Sequence, residues 1–119
     1  MIHISQTQKI RAGSWSLEAL YTCPGAIISG SLKSGVYELA DPCKGCYAVG
    51  GNYRYPNVKA PRIANRKDWK RDDWVDDMVE ELDSHRYFRW FDSGDCYDLR
   101  LAKKILAVMA ATPHCRHWF

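Results

Sequence analysis

Apolar positions recur at helical spacing in two stretches of the second half of the chain. Trp74, Val75, Met78, Val79 and Leu82 fall on one face, and Asp72, Asp73, Asp76, Asp77, Glu80, Glu81 and Asp83 populate the rest. Steps of three and four residues define an amphipathic helix. Asp72 or Asp73 supplies its N-cap, and the early carboxylates suit the positive end of the helix dipole. Leu99, Ala102, Ile105, Leu106 and Met109 predict a second amphipathic helix that starts near Asp98 and ends near Thr112-Pro113. Between the helices, Tyr87-Phe88-Arg89-Trp90-Phe91 reads as a short buried strand, and Asp92-Ser93-Gly94-Asp95 is turn chemistry. His114 to Phe119 is a candidate last strand. Upstream, the alternation of Trp15, Leu17, Ala19 and Tyr21 predicts a strand over 15–21, with a second extended piece at Val36 to Leu39. Gly13, Pro24-Gly25, Gly30, Gly35, Pro42, Gly45 and Gly50-Gly51 break the remainder of the first half into loops.

Helix, strand, helix, strand is the order of βα units. The expected fold is α/β, a small and mostly parallel sheet with two or three helices. With 119 residues, no repeat and no linker, residues 1–119 form a single domain. Ligands of such sheets sit beyond the carboxyl ends of the strands. That places Cys23, Asp95 and Cys96 at one edge, and Cys115 at the opposite edge or inside the sheet.

Composition narrows the setting. At 46% hydrophobic and 26% charged the chain is of ordinary globular type. It has no apolar run near the roughly 20 residues of a membrane helix, and no signal peptide is visible at its start. The expectation is a cytoplasmic, reducing environment and no membrane partner. The five cysteines are then metal ligands or idle thiols rather than disulfides. The net charge of +3 does not demand nucleic acid, which is not expected as a partner. The charge is unevenly spread, however. Arg54, Lys59, Arg62, Arg66, Lys67, Lys70 and Arg71 precede the acidic helix. Either the two segments pair within the chain, or Arg62 and Arg66, one helical turn apart with Asn65 beside them, hold a phosphate or carboxylate.

Cys43-Lys44-Gly45-Cys46 is a C-x-x-C, a spacing that lets two thiolates face one metal centre. Zinc ribbons, redox motifs and iron–sulfur sites share it. Cys23, directly before Pro24-Gly25, adds a third thiolate on a sharp turn, or is a small buried hydrophobe. His114 and His117 keep a zinc site open. The sequence contains no nucleophile–base pair and no phosphate-binding glycine loop, so no catalytic residue is assigned and enzyme activity is left open.

Several motifs in order, Trp15-Ser16-Leu17, Cys23-Pro24-Gly25-Ala26, Cys43-x-x-Cys46-Tyr47-Ala48, Arg62-x-x-Asn65 and Phe88-Arg89-Trp90-Phe91-Asp92-Ser93-Gly94-Asp95, resemble the phage gene-product-88 family in a shortened form. That family in turn resembles the radical S-adenosylmethionine proteins. The resemblance implies part of a (β/α) barrel with a glycine-rich cluster-binding loop. It also implies a [4Fe–4S] cluster on Cys23, Cys43 and Cys46, cofactor or anion contacts from Arg62, Asn65, Arg66 and Asp95, and the host cell cytoplasm as the location. Cys96 stands where the family usually has Phe, at the start of the last helix, and is expected to be the fourth ligand. A fully thiolate-ligated cubane points to electron transfer with a redox partner protein. A reduced radical S-adenosylmethionine-like enzyme and a zinc-stabilised nucleic-acid-binding module are the alternatives. A last strand left open at the sheet edge, followed by exposed aromatics, points to a homodimer.

Overall fold

The computed structural model describes the chain apart from residues 1, 7–11, 24, 42–43, 45 and 47–54. The order of elements is β1 (Ser5–Gln6), β2 (Gly13–Trp15), β3 (Ile27–Ser31), β4 (Val36–Leu39), α1 (Pro56–Asp68), α2 (Trp74–Glu81), β5 (Tyr87–Trp90), α3 (Leu99–Ala111) and β6 (Arg116–Trp118). One sheet runs β1-β2-β5-β6, and β3 and β4 form a separate two-stranded sheet. β2, β5 and β6 are parallel, whereas β1 runs antiparallel to β2. The expected mostly parallel barrel segment is therefore corrected. The main sheet is mixed and open, with β1 and β6 as its edges, and nothing among the described residues closes it into a barrel. A β3–β4 hairpin, paired antiparallel, stands where loops were expected around the one extended piece.

Local sequence explains most of the boundaries. Pro56 opens α1, where a missing N–H costs nothing. Asp73 precedes α2, and Asp76 and Asp77 occupy its first turn. Asp98 caps α3 by accepting a hydrogen bond from the Arg100 backbone N–H. The first strand of the pattern lies elsewhere than expected. Only Trp15 of the alternating set belongs to β2, because Ser16 and Leu17 turn to bond the loop after β5. Leu20, at φ 68°, then bends the chain, leaving Tyr21 exposed.

The core lies between the sheet and the α2–α3 layer. Trp15, Trp74, Met78, Leu82, Phe88, Trp90, Leu101, Ile105 and Val108 are all buried within it. The indoles meet edge to face, with Trp15 5.3 Å from Trp74 and 5.9 Å from Trp90. α3 buries Leu101, Ile105 and Val108, while Leu99 and Leu106 of the expected face are exposed.

His117 belongs to this core. Trp90 Nε1–H donates to its Nδ1 at 3.1 Å. Its Nε2 lies 2.8 Å from Thr112 Oγ1, whose own proton goes to the Val108 carbonyl at 2.8 Å. The network thus assigns a neutral ring with the proton on Nε2. Burial pushes the His117 pKa below its ordinary 6.5 and the nearby His114 adds to this, the Thr112 contact opposing. The unfolded chain therefore takes up the proton first. This contribution to stability is complete above pH 6.5 and is lost as pH falls from there through the depressed value. Wild-type stability in urea is expected to fall more steeply below pH 6.5 than that of His117→Gln. Parallel curves for the two proteins would refute the assignment.

Candidate functional site

The carboxyl ends of β2 and β5 carry a polar network closed by α1. Arg62 Nε donates to Ser93 Oγ at 2.7 Å and Nη1 to the Val58 carbonyl at 2.7 Å, while Nη2 reaches Asp92 at 3.4 Å. Ser93 Oγ donates to the Leu17 carbonyl at 2.6 Å. Asn65 bridges the chain, donating to the carbonyls of His3 and Ser16 and accepting from the His3 N–H, at 3.0–3.1 Å. Arg66 pairs with Glu18 at 2.6 Å and lies 4.0 Å over the Tyr21 ring. The Arg66–Glu18 contact is charge pairing rather than an aligned hydrogen bond, since neither facing atom makes one. Thr22 Oγ1 donates to the Glu18 carbonyl and accepts from the Asp95 N–H.

Phe91 supports this arrangement at φ 66°, a conformation that bulky residues rarely adopt. Its N–H donates to the Trp15 carbonyl at 2.9 Å. The bend brings the next N–H, that of Asp92, to Ser16 Oγ at 2.8 Å. The structure therefore brings Arg62, Asn65 and Arg66 together, as the sequence suggested, but against internal partners. Asp95 sits nearby with an exposed side chain that accepts from the Cys96 N–H. As it stands, the network fastens α1 to the strand ends.

The metal site is not carried by these residues. Cys43 lies outside the described residues, as does most of the glycine-rich loop. Cys23, Cys46 and Cys96 are half-buried. Among the described residues no group of three or more His, Cys, Asp or Glu side chains can hold a metal ion. This overturns the [4Fe–4S] cluster and the readings built on it, electron transfer and radical S-adenosylmethionine chemistry alike, as well as the zinc-stabilised module. Cys96, expected as the fourth ligand, belongs to no such group among the described residues. Burial pushes its thiol pKa up, a contact with the Asp98 carbonyl opposes this and the carboxylates of Asp95 and Asp98 add to it, while the helix start is already capped by Asp98. His117 has both ring nitrogens engaged, and His114 Nε2 meets the Leu82 carbonyl at 2.9 Å. Cys115 is buried ahead of β6.

A second constellation lies on the sheet face away from the core. Strand residues alternate between faces. Phe88, Trp90 and His117 point into the core, so Tyr87, Arg89, Arg116 and Trp118 point away from it. The register sets Tyr87 beside Arg116 and Arg89 beside Trp118. An aromatic ring thus neighbours a guanidinium in both directions. Tyr87 and Arg116 are exposed, and Arg89 and Trp118 are half-exposed. Arg86 lies 5.9 Å over the Tyr87 ring. Arg89 is paired to Asp92 at 3.3 Å, which is the acidic contact made from this patch. The two ring-bearing positions stand roughly 8 Å apart on the strands, two residues along and one strand across. The sequence reads this strand as buried. Arg89, in the middle of an aromatic run, was the signal that one face is open.

No curated protein and no solved structure matches the chain. The family profile described as Gene product 88 matches residues 2–119, which takes in the strand-end network and the aromatic–arginine face alike. The chain belongs to the gene product 88 family.

Proposed function

We propose that this protein is a binding domain for single-stranded nucleic acid, and that the ligand lies on the open face of β5 and β6. The carrying observation is the interleaving of Tyr87 and Trp118 with Arg89 and Arg116 in one cross-strand register. Bases stack on aromatic faces irrespective of sequence, and guanidinium groups track the phosphates between them. A spacing of roughly 8 Å between the two positions fits neighbouring bases that have been unstacked from one another. Double-stranded DNA offers no free base faces, so the surface favours single strands. The low net charge argued against such a partner, but it averages over an acidic α2 on the opposite side. The patch itself carries Arg86, Arg89 and Arg116 against Asp92. The whole chain acts as one domain in this reading. No helix among the described residues is long and apolar enough to cross a membrane.

Fluorescence anisotropy with a labelled oligothymidylate tests the proposal. Wild-type protein is expected to bind it more tightly than the matching duplex. Tyr87→Ala together with Trp118→Ala should weaken binding at least about thirtyfold, given about 1–3 kcal/mol per stacked base. Arg116→Ala should lower the salt slope by about 0.7 for one lost phosphate contact. Absence of binding, equal affinity for duplex, or indifference to the double substitution in folded protein would each sink the proposal.

A further inference from the structure

The other side of the molecule carries an unused surface. α2 and α3 pack side by side over the shared core, and the rows opposite their buried residues look outward together. On α2 the outward row is Asp76, Glu80 and, just beyond the helix, Asp83, all exposed. No ion pair among the described residues engages these carboxylates. On α3 the outward row is Leu99, Lys103, Leu106 and Ala110. Leu99 is 71% exposed and Leu106 62%. Leucines at i and i+7 on the outer face of a helix contribute nothing to this core, and Lys103 between them has no carboxylate partner among the described residues. One helix is thus acidic along its outer row. Its immediate neighbour is apolar and basic along the parallel row.

We infer that this helical layer is the contact surface of a homodimer, with α2 of one copy seated on α3 of the other about a twofold axis. A second copy is the occupant because the molecule carries both complementary halves next to each other. A twofold rotation brings each acidic row onto an apolar, basic row, and does so twice. Leu99 and Leu106 are then removed from water between the carboxylate stems, and Lys103 gains the carboxylates it lacks. The β6 edge is the poorer interface. It is three residues long and carries the exposed Arg116, features that blunt an edge against pairing. The helical layer also lies across the core from Tyr87 and Trp118, so dimerisation leaves both of these side chains accessible. This inference does not depend on the ligand assigned to them.

Sedimentation equilibrium over a wide concentration range, at low and high salt, tests it. The wild type is expected to dimerise, more weakly as salt rises. Lys103→Glu and Asp76→Lys should each raise the dimer dissociation constant by about tenfold, because an exposed pair contributes up to about 1 kcal/mol and each substitution acts at two places across the axis. The two combined should restore much of the wild-type value, since every swapped pair re-forms across the axis. Leu106→Glu should abolish the dimer while leaving the fold intact by circular dichroism, because the side chain points away from the core. Leu106→Ser serves the same purpose if the glutamate variant unfolds. A wild type that stays monomeric throughout would overturn the inference. So would a dimer indifferent to Lys103→Glu, or a charge swap that fails to rescue.

Discussion

Gly94→Ala is expected to destabilise the protein by about 2–5 kcal/mol, a large share of the roughly 5–15 kcal/mol that holds a small domain together. Two independent costs combine. Gly94 has φ 76°, a left-handed conformation that costs an L-residue about 1–2 kcal/mol. A Cβ at this position would also stand 2.5 Å from Thr22 Oγ1 and 2.8 Å from both the Cβ and the carbonyl oxygen of Leu17. Overpacking of that kind costs about 1–3 kcal/mol. Relief is blocked because Thr22 is held between the Glu18 carbonyl and the Asp95 N–H, and Leu17 is fully buried. Gly25 supplies the control. Its φ is 78°, but a Cβ there meets nothing within 4 Å. Gly25→Ala should therefore show the conformational cost alone. Urea unfolding of the two variants separates the terms, and equal losses would show that the close approach of the 17–22 segment to Gly94 is not tight.

The same loop shows where sequence reading stops. That Asp92-Ser93-Gly94-Asp95 is a turn was legible, because its residue types are those of turns. What lies against it was not, because Leu17 and Thr22 are more than seventy positions away. α2 and α3 were legible because their apolar periods are long enough to mark a helix, and β5 because a short run of aromatics between two helices suits a strand. The period failed where packing overrode it. In the 15–21 stretch, alternation survives but Leu20 takes a left-handed turn and the chain leaves the sheet. In α3, Leu99 and Leu106 fit the helical repeat as well as Leu101 does, and only the tertiary arrangement decides which row is buried. The antiparallel β1 ends the short stretch Ile2-His3-Ile4-Ser5-Gln6, whose brief alternation was not read as a strand. It was this strand that turned an apparently parallel sheet into a mixed one.

The candidate site divides in the same way. Arg62, Asn65 and Arg66 stood out because cations at helical spacing suggest an anion. Their actual partners, Ser93, His3, Ser16 and Glu18, lie 31 to 62 residues away along the chain in the bonds made by Arg62 and Asn65. The cysteine pattern carried the strongest chemical suggestion, and no metal-binding group among the described residues supports it. The aromatic–arginine face gave a weaker sequence signal. It depends on two short strands, Tyr87–Trp90 and Arg116–Trp118, being neighbours in a definite register. Neither strand alone shows more than one ring beside one cation on that face.

Arg62→Ala should cost about 3 kcal/mol of stability, which tells a structural clamp from a ligand-binding residue. A guanidinium held open for an anion sits among like charges or unmet donors, so its removal leaves stability unchanged or raises it. Arg62 instead is buried, with its side chain 9% exposed, and spends its donors on Ser93, Val58 and Asp92. Hydrogen bonds involving a charged group contribute about 1.5–3 kcal/mol, and removing one partner of a buried pair costs about 3–5 kcal/mol. The lower end applies here, because Asp92 keeps Arg89 at 3.3 Å and Ser93 keeps the Leu17 carbonyl. Arg62→Lys should recover only part of the loss. A single ammonium on a flexible stem does not reproduce the planar fork that reaches a hydroxyl, a carbonyl and a carboxylate at once. A double-mutant cycle with Ser93→Ala places the effect. The coupling energy between the two positions should exceed about 0.5 kcal/mol, as expected of groups in one hydrogen-bonded network. Unchanged urea stability in Arg62→Ala, or additive losses in the cycle, would show that α1 is fastened to the strand ends by other contacts and would return Arg62 to the candidates for binding an external anion.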